Sequence, residues 1–174
     1  MTRRLELPYA EQSIEAIEAG DDVLLSGTLY VGRDQVHKKL CEALSDSLPL
    51  PFPFEGNAIY YMGPSPAPEG FPIGSAGPTT SARMDRFSPS LITAGLKVMV
   101  GKGPRSEAVA DSVKTHKGLY LQAFGGCGAL YSSCILSSEL VAYPELGPEA
   151  LLRLIVKDFP VICVIDSAGR IYRG

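Results

Sequence analysis

What most constrains this chain is a repeated handover, in which an apolar run of strand length ends in a small-residue loop, with a helix between each such run and the next. Val23-Leu24-Leu25 passes into Ser26-Gly27, and Ala58-Ile59-Tyr60-Tyr61-Met62 passes into a proline- and glycine-rich segment over residues 63–78, which Glu69, Phe71 and Ile73 are expected to anchor. Lys97-Val98-Met99-Val100 ends in Gly101-Lys102-Gly103, and Gly118-Leu119-Tyr120-Leu121-Gln122-Ala123 ends in Gly125-Gly126-Cys127-Gly128. Short runs rich in branched and aromatic residues read as strands. Between them, Asp34 is placed to cap a helix over residues 35–44 with Val36, Leu40 and Leu44 inward; Ser88-Pro89 starts a second, carrying Leu91, Ile92 and Leu96; and Ser106 caps a third, to about His116. The N-terminus adds an apolar alternation at Leu5 and Leu7 and a helical turn stopped by Gly20. The tail adds strands over 140–143, 151–156 and 161–165, broken by turns at Pro148 and Phe159-Pro160, and Asp166-Ser167-Ala168-Gly169 folds it into a hairpin with Ile171-Tyr172. Strands at both ends with strand–helix alternation between them predict one α/β domain over residues 1–174, a mixed sheet covered by helices on one side.

At 174 residues with 45% hydrophobic and 20% charged, such a domain buries a core without staples. A net charge of -3, with no basic cluster longer than Arg3-Arg4 or Lys38-Lys39, argues against a nucleic-acid surface. No apolar run has signal-peptide length and none approaches the ~20 residues of a spanning helix, so no membrane association and a cytoplasmic protein are expected. Cys41, Cys127, Cys134 and Cys163 form no CxxC pair, and three have apolar neighbours. They read as buried thiols, with a metal site assembled from them in space left open.

The densest chemistry lies in Gly77-Pro78-Thr79-Thr80-Ser81-Ala82-Arg83-Met84-Asp85. Pro78 suits the first position of a helix, which would leave the N–H groups of Thr79 and Thr80 outward for an anion. In a helix Thr79 and Arg83 would share a face, hydroxyl and guanidinium converging on one carboxylate. The same spacing fits a plain capped helix whose Arg83 pairs with Asp85 or meets solvent. Arg33 precedes the Asp34 helix and His37 lies one turn inside it, either aimed at a ligand at the helix start or standing behind it or on the surface. Lys102, between two glycines after a strand, adds a third fixed cation.

The run GPTTSARMD resembles the signature of the C-terminal domain of class I fumarases and the β subunit of L(+)-tartrate dehydratase, iron–sulfur hydro-lyases in which a GPTT-x-x-RMD segment is characteristic. Ser26-Gly27-Thr28 followed by Gly32-Arg33-Asp34-Gln35-Val36-His37-Lys38 resembles the SG…GRD-x-x-H-K element of that family, and Gly101-Lys102-Gly103-Pro104-Arg105-Ser106 its GKG-x-RS loop. The resemblance runs over nearly the whole chain. It implies a swivelling β/β/α domain and reversible hydration of a C4 dicarboxylate, fumarate/malate first and tartrate next. It also implies substrate binding by Arg33, Arg83 and Lys102, Thr79 as catalytic base, and His37, Asp34 and Thr80 as supporting residues. The family's [4Fe–4S] cluster is held by cysteines of another domain or subunit, so no metal ligand is expected here and a cysteine-bearing α subunit, in an α2β2 hetero-oligomer, is the expected partner. Cys127 departs from the small apolar residue expected at its position.

The chemistry suits these residues. Removing a proton beside a carboxylate builds negative charge on that carboxylate in the transition state, and fixed guanidinium and ammonium groups stabilise it. The rival reading is a non-catalytic carboxylate-binding or assembly module that retained the anion pocket.

Overall fold

The chain alternates strand and helix as far as Gln122 and then doubles back in two long strands. In order, the elements are β1 (Thr2–Leu7), α1 (Glu11–Glu15), β2 (Asp22–Val31), α2 (Asp34–Ser45), β3 (Ala58–Tyr60), α3 (Ser88–Thr93), β4 (Val98–Gly101), α4 (Glu107–His116), β5 (Leu119–Gln122), α5 (Gly128–Ser133), β6 (Ile135–Ala142) and β7 (Leu151–Ile165). Short 3-10 turns occupy Ser81–Met84 and Pro144–Glu149, and the computed structural model describes residues 1–174.

The sheet order is β1-β2-β3-β4-β5-β7-β6, with neighbours parallel from β1 to β5. β7 runs antiparallel to β5 and β6 and also to the whole of β2, which closes the sheet on itself. Side chains of a strand alternate between faces, and here both faces are buried. Ala58, Tyr60, Val98, Val100, Leu119 and Leu121 face a core of 26 residues shared with β1, β2 and β7. Their neighbours Ile59, Met99 and Tyr120 face a second core of 17, filled from α2 by Val36 and Leu40, from α3 by Leu91 and Ile92, and from α4 by Val109 and Val113. The result is the predicted mixed sheet with α2, α3 and α4 on one side, while its other face is closed by strands together with Ile14 of α1 and Tyr131 of α5.

Three local expectations change, and one element was not foreseen. β2 does not stop at Ser26-Gly27; it shifts register there and continues to Val31. Gly27 makes this possible, since its φ is +105° and a Cβ would sit 2.1 Å from the Leu7 carbonyl oxygen. Phe159-Pro160 is no turn, because β7 runs unbroken through it, Pro160 pairing opposite Leu24. The bend falls instead at Asp158, whose φ is +50° and whose N–H donates to Ser26 Oγ at 3.0 Å. Of the residues expected to anchor the 63–78 segment, only Ile73 is buried; Glu69 is exposed, as is Phe71, at 67%. Helix α5 lacks a sequence signal, being short and preceded only by glycines and a cysteine.

Gly27→Ala is expected to cost on the order of 3 kcal/mol, from a Cβ against backbone and a φ that side chains resist. A urea unfolding midpoint unchanged from the parent would contradict the packing of β1 along β2.

Candidate active site

Parallel strands deliver their C-terminal ends to one edge, where the loops of open α/β sheets commonly gather ligands. β2 ends there in Gly32-Arg33, β3 in Tyr61-Met62-Gly63, β4 in Lys102-Gly103, and β5 in the run to Gly128. The segment carrying the threonines enters this edge as added strand. Tyr61 N–H donates to the Val100 carbonyl at 2.8 Å, Thr79 N–H to the Tyr61 carbonyl at 2.7 Å, and Ser81 N–H to the Lys102 carbonyl at 2.9 Å. Thr80 thereby pairs in parallel with Lys102.

This pairing overturns the helix expected from Pro78. Thr80 is extended, with φ -59° and ψ 121°, and the helical part is only the 3-10 turn that follows. The Thr79 N–H is already spent on Tyr61, so it is not available to an anion, and Thr79 and Arg83 do not share a helix face. Strand pairing won because β3 and β4 end with unpaired carbonyls that the segment satisfies.

Lys102 is half-buried alongside Gly125, where a Cβ would lie 3.7 Å from its Cδ and 3.9 Å from its Nζ. The 125–128 loop also locks to the threonine segment. Ala76 N–H donates to the Gly128 carbonyl at 3.2 Å, and a Cβ on Gly128 would stand 2.0 Å from Ser75 Oγ. Thr79, Thr80, Lys102 and Gly125 are therefore brought together. Arg33 stands at the end of β2, its guanidinium across Gly63, where a Cβ would meet Nη1 at 2.9 Å. Its buried Nε lies 3.6 Å from Glu149, without a hydrogen bond. Arg83 points outward, exposed on its 3-10 turn, and is not joined to the others.

Asp34 does not cap α2. Arg33 holds the cap position with no side-chain bond, and Asp34 sits in the first turn with Oδ1 buried and unpartnered. His37 is neither on the surface nor in front of the site. It is 1% exposed, its Nδ1–H donates to the Arg33 carbonyl at 2.7 Å, and its ring meets Tyr61 edge-on at 5.1 Å. Burial pushes its pKa down to about 4, and the nearby charge of Arg105 acts in the same direction. It is a neutral prop beneath Arg33.

Sequence reasoning missed the pair that holds these loops. Asp85 does not meet Arg83; its Oδ1 accepts from Arg105 Nε at 2.6 Å and its Oδ2 from Ser106 N–H at 2.8 Å. Arg105, with a fully buried side chain, also donates to Ser88 Oγ at 2.8 Å. Both residues lay in conspicuous runs, and an acid closing one loop with an arginine in the next was the available signal. Ser88 accordingly spends its hydroxyl on the Met84 carbonyl and Arg105 rather than on capping α3.

The cysteines are dispersed. Cys163 is fully buried, its thiol pushed up to about 12 by burial, while Cys41, Cys127 and Cys134 are half-buried rather than buried. No three His, Cys, Asp or Glu side chains gather to hold a metal ion. The largest concavity, about 980 Å³, lies elsewhere, between α4 and residues 169–174, and includes none of Arg33, Thr79, Arg83 or Lys102. No helix is long and apolar enough to cross a membrane.

Residues 2–172 match the family model described as fumarase C-terminus. The chain is 44% identical over 147 residues to the aerobic class I fumarate hydratase of Escherichia coli K12, covering 83% of this chain and 27% of that protein. It is 39% identical over 160 residues to fumarate hydratase 2 of Leishmania major, covering 91% and 28% respectively. Against the L(+)-tartrate dehydratase subunit beta of Escherichia coli K12 it is 34% identical over 174 residues, covering 97% of this chain and 85% of that subunit. The chain thus spans less than a third of these fumarate hydratases and most of the tartrate dehydratase subunit.

His37 ties the stability of this edge to pH. Its folded pKa, about 4, lies below the ordinary value of 6.5, so the unfolded chain takes up a proton first as pH falls. The contribution is fully present above pH 6.5 and is lost as pH drops toward 4, on the order of 3 kcal/mol in all. His37→Gln should flatten the fall in urea midpoint between those pH values, and an equally steep fall in the variant would remove His37 as its source.

Proposed function

The chain belongs to the fumarase C-terminus family, and on that premise we propose that it is the β subunit of a two-subunit iron–sulfur hydro-lyase. Its reaction is the reversible hydration of a C4 dicarboxylate, fumarate/malate first and tartrate next. The observation that carries this reading is the strand-edge pairing of Thr80 with Lys102, which sets a hydroxyl-bearing segment beside a fixed ammonium. The 34% identity to a protein named L(+)-tartrate dehydratase subunit beta supports the β-subunit reading.

In this reading Arg33, Arg83 and Lys102 bind the substrate carboxylates. Lys102, without a carboxylate partner of its own, offsets the charge that grows as the proton beside a carboxylate is withdrawn. Thr79, on the strand extension next to Thr80, is the base; a free hydroxyl is weak in that role, so its activation depends on the assembled site. His37 supports Arg33 from below, and Asp34 and Thr80 line the same edge. The dispersed cysteines of this chain do not fit a [4Fe–4S] cluster. We assign that group to a cysteine-bearing α subunit in an α2β2 cytoplasmic assembly, which also closes the pocket over the exposed edge.

The test is anaerobic reconstitution of the chain with a cysteine-bearing hydro-lyase subunit, followed by malate dehydration. Turnover is expected from the pair and not from this chain alone; a cluster-loaded pair inactive toward malate, fumarate and tartrate would leave only the assembly role. Within the active pair, Arg83→Lys should lose about 100-fold in kcat/KM, because an ammonium cannot reproduce a two-point grip. Near-parental turnover would remove Arg83 from substrate binding. Thr79→Ser should keep measurable rate while Thr79→Val loses about 100-fold or more, and equal rates for the two would take Thr79 out of the chemistry.

A further inference from the structure

We propose, resting on the function above, that Tyr120 is a positioning residue, its phenol tying the strand of Thr79 and Thr80 to the loop of Lys102 and so setting base against cation. Tyr120 is fully buried on β5, on the helix-facing side of the sheet, and nothing in its packing requires more than a phenylalanine. Its hydroxyl is nevertheless spent entirely on the two site segments. It donates its one hydrogen to the Gly103 carbonyl at 2.7 Å, and Ser81 Oγ lies 2.8 Å away. Since that hydrogen is already given, the Ser81 hydroxyl must be the donor in the second bond. Burial pushes the Tyr120 pKa up to about 12, so the phenol stays protonated near neutral pH.

Three further contacts make the tie specific. Ser81, also fully buried, donates its N–H to the Lys102 carbonyl, so Ser81 grips residues 102 and 103 at two points, one through backbone and one through Tyr120. The Ser81 hydroxyl occupies the space over Gly101, where a Cβ would lie 2.0 Å from it and 2.7 Å from the Tyr61 ring. The Arg105 guanidinium covers the Tyr120 ring, 4.8 Å from its centroid, which stops the phenol from swinging away. Thr79 and Thr80 immediately precede Ser81, and Lys102 immediately precedes Gly103. A shift of about 1 Å in such a frame is enough to cost about 100-fold in rate.

Tyr120→Phe and Ser81→Ala keep the core volume nearly unchanged and each break the tie. In the reconstituted pair, with malate as substrate, each should lower kcat by about 10- to 100-fold while KM moves less than about threefold, and the double variant should be no worse than Tyr120→Phe alone. Amide hydrogen exchange on this chain should show the Ser81 N–H exchanging about tenfold faster in Tyr120→Phe, with β4 amides unaffected. A kcat within twofold of the parent, additive losses in the double variant, or unchanged Ser81 exchange would each overturn the proposal. If the unsubstituted pair shows no turnover, the functional reading fails by itself, and exchange at Ser81 still decides whether Tyr120 holds the two segments.

Discussion

The buried pair of Arg105 and Asp85 is the interaction on which the arrangement of this molecule depends. Removing one partner of such a pair strands the other charge, at a typical cost of about 3–5 kcal/mol. Here it also releases geometry, because Asp85 closes the threonine loop while Arg105 and Ser106 open α4, so one carboxylate fixes a 3-10 turn to a helix start. The guanidinium is sandwiched by Tyr61 and Tyr120, at 5.2 and 4.8 Å from their ring centroids, which replaces lost water with aromatic faces. An apolar pair could fill that volume, but it could not dictate which loop meets which.

In the other core, the buried hydroxyls of Tyr60 and Tyr131 act as further ties to the site loops. Tyr60 donates to the Ala76 carbonyl at 2.6 Å and so anchors the long segment before the threonines. Tyr131 accepts from Phe124 N–H and donates to the Pro160 carbonyl, each at 2.8 Å, holding the loop after β5 against β7. A buried phenol left without a partner is costly, so each such tie selects one loop position over its alternatives. The cations of the edge are thus presented by loops held from beneath, while their charged ends remain available from outside.

The two-core architecture explains why the edge can be both rigid and open. β3, β4 and β5 are only three or four residues long, yet both faces of each are packed, so their ends move little. Lys102 follows β4 by one residue and Arg33 follows β2 by two, so the sheet sets where both leave it. Arg83, set on a short turn and exposed, lacks that support, and its placement against substrate is left to whatever closes over the edge.

Much of this was legible from the residues. Periodicity and caps are local properties, so the strands at Ala58, Val98 and Leu119 and the Ser106 cap of α4 could be read directly, and the motifs carrying Arg33, Thr79, Arg83 and Lys102 marked out the candidate site. What local pattern could not decide was pairing across distance. Pro78 reads as a helix start until the open ends of β3 and β4 claim Thr79 and Thr80 as strand. Phe159-Pro160 reads as a turn until β2 supplies a ladder through it. Asp85 lies two residues from Arg83 but spends its charge on Arg105, twenty positions away. The sequence by itself determined which segments are stiff and which residues are chemically able; the tertiary structure alone decided which of them meet. The reason is that hydrogen bonds and ion pairs made between segments outweigh the fractions of a kcal/mol by which a local stretch prefers one conformation.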